Sequence, residues 1–480
     1  MGKKSIFSPF VKQSYVTAAV CCNIIGHGCM LGFPGVLLPQ LHQPDSPIIL
    51  SKEMESWIAS VLAISMFFSN FLTPPIMGRL GRKAAHYAVT LPVMVGWIVM
   101  ILATSSEALL IGRILHGMSM GMMLPLRSVL IGEYTSPHNR GGFLTTIALA
   151  QCFGILFVHL VGSILSFQLT ALISLFFSFI SILMTIYSPE SPSWLATQGQ
   201  YDKCRKVFIW LRGEEEIPEL DKMIEASKQM DEQPKQGLKE IVSIAKKKEV
   251  YKPIILMIAL YIMLNFTGGT MFAAYSTRIL HLLMGPDINA HVWMVALDTQ
   301  RLFFNIGAVY VINKTGRRTM LFATGALCAG SHLAQAAYIF AKTNDFLPFD
   351  SIWIPGILVN LQVLSVAVGM VPLPSVIAGE VFPLQYRSLA GSTSLIAISI
   401  ATFLALKTFP GLVSSVGLEG TYVLYAGIIT SALVVAWFLL PETKGKTLQQ
   451  IEEHFRGECD TENDKEVEKL NGSEKKNVLP

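Results

Sequence analysis

The chain alternates between long apolar runs and short polar breaks, and the lengths of the runs carry the first inference. Twelve runs stand out, at roughly 14–38, 57–77, 84–104, 108–132, 143–165, 167–187, 253–280, 291–312, 319–341, 352–378, 389–412 and 421–440. An α-helix needs about 20 mostly apolar residues to cross a bilayer, so each run predicts one spanning helix. The rhythm stops at residues 188–252, which hold 24 charged residues, 12 basic and 12 acidic. Six runs precede this segment and six follow it. The pattern predicts an all-α membrane protein of 12 transmembrane helices in two six-helix bundles, residues 1–187 and 253–440. A polar segment at 188–252 joins them and a charged tail follows at 441–480.

Within the 188–252 segment, residues 200–230 and 236–250 read as short amphipathic helices separated by Gly213, Pro218, Pro234 and Gly237. A solvated linker and a latch beneath the bundle fit that pattern equally well. The tail beyond Phe455 has no apolar periodicity and is expected to be disordered. Composition points the same way: 15% of residues are charged and mean hydropathy is +0.50, against about 25% charged in soluble domains. A net charge of +4 is too small to suggest a nucleic-acid partner; the bilayer and a small solute are the expected partners.

Lys and Arg in short loops mark the cytoplasmic side. With the N-terminus inside, Lys3, Lys4, Lys12, Arg79, Arg82, Lys83, Arg140, Lys314, Arg317, Arg318 and Arg387 are cytoplasmic, and the outer loops keep only Lys52 and Lys342. Both termini and the 188–252 segment are therefore expected in the cytoplasm, and the plasma membrane is the expected location. The seven cysteines fall in spans or cytoplasmic segments, so no disulfide is expected, and their spacing suggests no metal site.

Three motif pairs recur along the chain. Gly78-Arg-Leu-Gly-Arg-Lys83 answers Asn313-Lys-Thr-Gly-Arg-Arg318, with Gly81 and Gly316 235 residues apart. Glu133 followed by Arg140 answers Glu380 followed by Arg387, and Pro189-Glu190 answers Pro441-Glu442. A six-helix unit duplicated in parallel is a signature of major facilitator transporters, whose solute site lies near the midplane between the halves. The set Arg79, Arg82, Arg113, Glu133, Arg140, Glu190, Arg317, Arg318, Glu380, Arg387 and Glu442 is expected to form a cytoplasmic network. Its ion pairs, running across the interface between halves, would act as a gate; the alternative is that they only fix loop geometry and topology.

Pro189-Glu-Ser-Pro-Ser-Trp-Leu195 closely resembles the element after the sixth helix of sugar porters in the major facilitator superfamily. Pro441-Glu-Thr-Lys-Gly-Lys-Thr-Leu448, with Glu452 and Phe455, is similar to that family's C-terminal signature, and Arg113 with Gly112, Gly117 and Gly121 to its fourth-helix motif. Lys52-Glu53 followed by Ser56-Trp-Ile-Ala-Ser60 resembles the start of helix 2 in insect trehalose facilitators. The resemblance runs from about Thr17 to Phe455. It implies the major facilitator fold, a carrier rather than an enzyme, and no cofactor.

The sequence departs from the family where solute selectivity arises. Gly78 and Asn313 replace the usual Asp of the Gly-Arg loops. The helix-7 amide run becomes Leu264, Asn265, Gly268 and Thr270, the helix-8 Asn becomes Arg301, and the helix-10 Trp becomes Ser375. The pocket candidates are Asn265, Thr267, Thr270, Tyr275, Asp298, Arg301, Ser375 and His159. Ionisable groups inside a membrane are costly and invite functional readings. Asp298 and Arg301 are three apart on one helix face and are expected to neutralise each other; alternatively Arg301 faces the cavity. His27 and His159 are expected to be packed helix residues. The first helix has no carboxylate of the kind proton-coupled sugar porters carry, so uniport is expected. The leading expectation is a facilitative carrier for trehalose or a related sugar. The alternatives are a diverged carrier for a non-sugar or anionic solute, and a nutrient sensor on a carrier fold.

Overall fold

The computed structural model describes residues 7–44, 46, 48–231, 246–347, 351–382, 387–446 and 448–456. These residues form helices and connecting turns, with no strand among them. The first group is α1 (Pro9–Leu41), α2 (Lys52–Ser69), α3 (Thr73–Leu80), α4 (Arg82–Ile101), α5 (Ser106–Tyr134), α6 (Pro137–Gly162) and α7 (Phe167–Tyr187). Three short helices follow, α8 (Pro192–Thr197), α9 (Tyr201–Arg212) and α10 (Ile217–Asp231). The second group is α11 (Lys248–Phe266), α12 (Gly269–Met284), α13 (Ala290–Lys314), α14 (Arg317–Thr343), α15 (Trp353–Ser365), a π-helical turn (Val366–Met370), α16 (Pro372–Val381) and α17 (Arg387–Leu439). The last helix is α18 (Leu448–Arg456).

Serine caps start several of the long helices. Ser8, Ser51, Ser105 and Ser166 each accept a backbone N–H three residues on, at 3.2–3.4 Å, satisfying a donor that the helix cannot. Eight helical stretches of the described residues are long and apolar enough to cross a membrane, or nine if α2 and α3, bent by 46°, form one span. The runs predicted at 291–312 and 319–341 do form helices, of 25 and 27 residues, but Asp298, Arg301, Asn305, His332 and Gln335 dilute their apolar character. The last two runs lie within one 53-residue element that turns at Gly417, where φ is +73°.

Each group has a core, and one cluster of the second group also takes in Leu38 and Ala59 of the first. Phe33, Trp97, Val158 and Leu109 pack toward one end of the first group and Val20, Leu126 and Tyr134 toward the other. Met257, Leu321, Ile377 and Ile429 do the same in the second group, opposite Leu280, Phe409 and Tyr425. Small residues set the helix spacing. A Cβ on Gly117 or Gly121 would strike the backbone of α2 at Leu62 or Met66, and one on Gly154 would strike the Ile25 carbonyl of α1. This close backbone approach is how apolar helices gain packing energy without a hydrophobic drive. The two groups meet along three seams, α1 with α12, α2 with α17, and α6 with α13.

The charged segment after α7 is packed rather than simply solvated. Leu195, Cys204, Phe208 and Leu220 form a small core of α8–α10, and burial pushes the Cys204 thiol up to about 11, with Arg205 pulling weakly the other way. Arg212 donates to the Glu133 carbonyl at 3.3 Å and Gln13 to the Leu211 carbonyl at 3.2 Å, which docks the segment under the first group. Most of the helix expected at 236–250 lies outside the described residues, as does the chain after 456. Ahead of that tail, α18 buries Ile451 and Phe455 against the second group, and Lys252 donates to the Phe455 carbonyl at 3.2 Å.

Gly154→Ala should lower the unfolding temperature of the purified protein, because overpacking a helix contact costs about 1–3 kcal/mol. Gly142→Ala, whose Cβ would meet nothing within 4 Å, should leave it unchanged or slightly raised. Equal effects would mean that α1 and α6 do not approach as closely as described.

Candidate functional site

Two matching charged clamps close one end of each helix group, here termed the motif end. Arg82 grips Glu133 with two bonds, Nε to Oε2 at 2.8 Å and Nη2 to Oε1 at 2.7 Å, while its Nη1 donates to the Met77 carbonyl. Ser191 Oγ adds a bond to the same carboxylate at 2.5 Å. In the second group Arg317 donates to Glu380 at 3.1–3.2 Å and to the Ile312 carbonyl, and Thr443 Oγ1 donates to the other Glu380 oxygen at 2.5 Å. A paired Arg–carboxylate fork fixes orientation as well as charge.

A second carboxylate in each clamp caps a helix. Glu190 Oε1 accepts from the Arg82 backbone N–H at 2.9 Å and from the Ser191 N–H at 2.7 Å, at the start of α4. Glu442 accepts from the N–H groups of Arg317 and Arg318 at 2.8 and 3.1 Å, at the start of α14. Helix N-termini favour negative charge. The geometry also explains the glycines of the repeated loops. A Cβ on Gly81 or Gly316 would collide with the Glu190 or Glu442 carboxylate, and Gly81 has φ +95°.

These contacts correct the expected gate. Both ion pairs lie within a group, not across the interface; nearer the middle of the seam, Asn70 Nδ2 at the end of α2 donates to Ser399 Oγ of α17 at 3.2 Å. Arg113 is also elsewhere: it is 1% exposed in the opposite half of α5, where Nη1 holds the Met30 carbonyl at 2.6 Å and Nε the Ile58 carbonyl at 3.0 Å. Its guanidinium ties α1 and α2 to α5. Arg79 is exposed, Arg140 Nε is buried without a partner, Arg318 donates to the Trp437 carbonyl, and the Arg387 side chain lies outside the described residues.

Midway along the second group, α11 and α12 part at Gly268, which adopts φ +87°. Broken helices free backbone groups, which is tolerated where other polar groups meet them. Here Gln362 Nε2, from α15, donates to the Thr267 carbonyl at 3.0 Å, and Gln335, from α14, donates to Gln362 Oε1 at 2.9 Å. Gln362 comes just before the π-helical turn, a distortion that often marks function. Asn265 accepts from Thr402 Oγ1 at 2.7 Å. A cavity of ≈ 20 Å³, room for about one water, lies between Gly268, Gln362, Asp298 and Arg301.

Asp298 is not simply paired with its helix neighbour. Arg301 Nη2 stands 3.9 Å from Asp298 Oδ1, and Arg301 Nε is buried without a partner. The other carboxylate oxygen meets His159 Nδ1 of α6 at 2.5 Å. His159 is therefore an inter-group residue rather than a merely packed one. Asn305 donates across the same seam to Cys152 Sγ at 3.4 Å. Of the other candidates, Thr267 bonds locally to the Leu264 carbonyl and Tyr275 donates to the Leu406 carbonyl at 3.2 Å. Thr270 is half-buried on α12, and Ser375 is exposed on α16 with no hydrogen bond to the Gly268 group.

Gln335, Gln362, Asn305 and Thr402 were not among the sequence candidates. Each is a polar residue inside an apolar run, which was the available signal.

At the end opposite the clamps, a cavity of ≈ 580 Å³ opens between the groups, lined among others by Lys52, Glu53, Glu55, Arg278, His291 and Lys407. Lys407 reaches from α17 to Ser56 of α2 at 2.8 Å and lies 3.8 Å above the Trp57 ring.

Residues 9–455 match the profile of the family described as sugar (and other) transporter. The chain belongs to that family of major facilitator carriers, membrane proteins that are not enzymes. It is 25% identical to "Facilitated trehalose transporter Tret1" of Apis mellifera ligustica, over 85% of this chain and 81% of that one. It is 28% identical to "Sugar transporter ERD6-like 1" of Arabidopsis thaliana, over 89% and 90%. Its fold is that of the xylose transporter XylE from E. coli in an inward open conformation, with TM-score 0.72 at 16% identity over 93% of this chain and 100% of that one.

The clamps yield a pH-dependent prediction. Partial burial pushes the Glu442 carboxyl up, but backbone N–H groups of Lys444, Arg317, Arg318 and Thr443 outweigh it and the net shift is downward. A lowered folded-state value means the cap contributes fully above the unfolded carboxylate range, about 4.3, and is lost as pH falls through the lowered value. Glu442→Gln should cost about 1 kcal/mol at pH 7, since the group is partly solvated. Its cost should shrink as pH is lowered below the ordinary carboxylate range, by thermal unfolding in detergent. A loss that stays constant down the pH series would show that charge is not what holds the cap.

Proposed function

We propose that the protein is a facilitative carrier for trehalose or a related sugar in the plasma membrane. It works by alternating access between two six-helix bundles, residues 1–187 and 253–440. In this reading the motif end, both termini and the 188–252 segment face the cytoplasm, and the lysine-lined cavity faces outward. The clamps keep each bundle rigid while the seams between bundles open and close.

The observation that carries the sugar reading is the gathering of neutral amides at the Gly268 break. Gln335, Gln362 and Asn265 come from α14, α15 and α11, Thr402 supports Asn265 from α17, and Asn305 of α13 adds an amide at the neighbouring α6 seam. Amides both donate and accept, as hydroxylated solutes require, and each such group left unpaired in a buried site costs about 1–3 kcal/mol. Thr267, Thr270, Asp298 and Arg301 complete the proposed pocket. The relatives named as facilitated trehalose transporters support the substrate class. A second reading, an anionic solute, is favoured by Arg301, whose buried Nε has no partner, and by Arg278, Lys52 and Lys407 around the outer cavity.

Counterflow in proteoliposomes containing only this protein separates these readings. Labelled trehalose should exchange, and Arg301→Asn should retain that exchange while lowering any exchange of small organic anions at least tenfold. Exchange of anions alone would replace the sugar reading with the second one. Binding of trehalose without exchange would mean a sensor on a carrier fold.

A further inference from the structure

The ≈ 580 Å³ cavity opposite the clamps shares no lining residue with the ≈ 20 Å³ cavity at the Gly268 break. Along α12 the lining passes from one to the other between Phe272 and Ala274. At that point His159 Nε2 of α6 packs against the Gly32 carbonyl of α1 at 3.0 Å and the Ala273 carbonyl at 3.2 Å. The two spaces are therefore separate. The smaller has room for about one water, whereas the larger admits an organic molecule as it stands.

The charges around the larger cavity do not cancel. Lys52, Arg278 and Lys407 line it as cations, Glu53 and Glu55 as carboxylates. Glu55 is engaged by His42, whose Nε2 lies 2.7 Å away. Lys407 donates to Ser56 Oγ, covers the Trp57 ring, and has Glu53 as the carboxylate acting on it. Lys52 and Arg278 remain. Both are exposed, and among the described residues neither makes an ion pair or hydrogen bond. Unpaired surface cations are ordinary where they point into open water; these two line the same cleft, from α2 of the first group and α12 of the second. His291 of α13 adds a ring whose Nδ1 is buried without a partner. A cleft with surplus charge of one sign concentrates ions of the other, and a guanidinium fork matches a carboxylate or phosphate with two parallel bonds.

We propose that the cavity opposite the clamps is a binding site for a small organic oxyanion, separate from the solute pocket, whose carboxylate or phosphate is held by Arg278 and Lys52. Arg278 supplies the fork and Lys52 a point charge from the facing group, so one ligand contacts both helix groups. His291 Nδ1 meets a polar atom on the body of the ligand. Glu53 faces the same space and opposes the ligand's charge, which keeps binding weak for a singly charged ligand. The site stands on this arrangement of the helices alone, and it holds whether the carried solute is a sugar or not.

Equilibrium binding to the full-length protein in detergent, at constant ionic strength, tests the site with three labelled probes built on one ring: glucose, glucuronate and glucose 6-phosphate. The anions should bind more tightly than glucose. Arg278→Gln and Lys52→Gln should each weaken anion binding about fivefold or more while leaving glucose unchanged, the size expected of a charge-assisted contact discounted for solvent. Glu53→Gln should strengthen anion binding about twofold by removing a like charge, a gain that misfolding cannot imitate. Binding of only one of the two anions supports the site and identifies its oxyanion. Equal binding of all three probes, or anion binding that both Arg278→Gln and Lys52→Gln leave intact, overturns it. Anion binding lost in Arg301→Asn but kept in Arg278→Gln places the ligand at the Gly268 break, which also overturns the site and supports the anionic-solute reading. Absence of trehalose exchange beside intact anion binding would remove the sugar reading alone.

Discussion

A charge buried in a low-dielectric interior is tolerable only beside a partner, and the arrangement of this protein follows from where its partners sit. At the motif end every strong pair is internal to one helix group: Arg82 with Glu133, Arg317 with Glu380, and the Glu190 and Glu442 caps on α4 and α14. Near the other end the carboxylate of Asp298 is reached by His159 from the opposite group. Internal pairs survive a rigid-body rotation of the groups, and a pair across the seam does not. On the alternating-access reading proposed above, the charges separate what stays fixed from what must break, and the motif end is left free to part.

The same logic applies to the polar groups in the middle. Gly268 breaks the path from α11 to α12, and the freed Thr267 carbonyl is met by Gln362, which Gln335 supports in turn. The amides are thus held by the scaffold from two further helices, and a solute would meet a preset array rather than loose side chains. Asn305 and Arg301, one turn apart on α13, bring the array to the seam with α6.

Much of this was legible in the sequence, because run length and repeated motifs report topology directly. The apolar runs anticipated helices throughout, and the matched Glu and Arg positions anticipated two equivalent clamps. Partner identity was not legible in the same way. Whether Arg82 meets Glu133 within its own half or a residue across the interface depends on how the halves are turned, which spacing along the chain does not encode. Asp298 and Arg301 looked like a local pair because they share a helix face, yet the closer partner, His159, is 139 residues away. Arg113 matched a motif whose other members are glycines that pack α5 on α4 (Gly112) and on α2 (Gly117 and Gly121), and its own role is to hold carbonyls of α1 and α2. Gln335 and Gln362 match none of the positions to which the family resemblance assigns solute contacts, so the resemblance does not point to them; here amide chemistry arrives from neighbouring helices.

The account stands on rigid halves that move against each other, and spin-label distances test it most directly. In a background lacking the native cysteines, three label pairs suffice: His138 with Leu80 within the first group, His138 with Lys314 across the motif end, and Ile164 with Asp287 across the opposite end. On adding a transported solute, the first distance should stay fixed while the other two change in opposite directions. A shift in the His138–Leu80 distance, or parallel changes at both ends, would contradict the account.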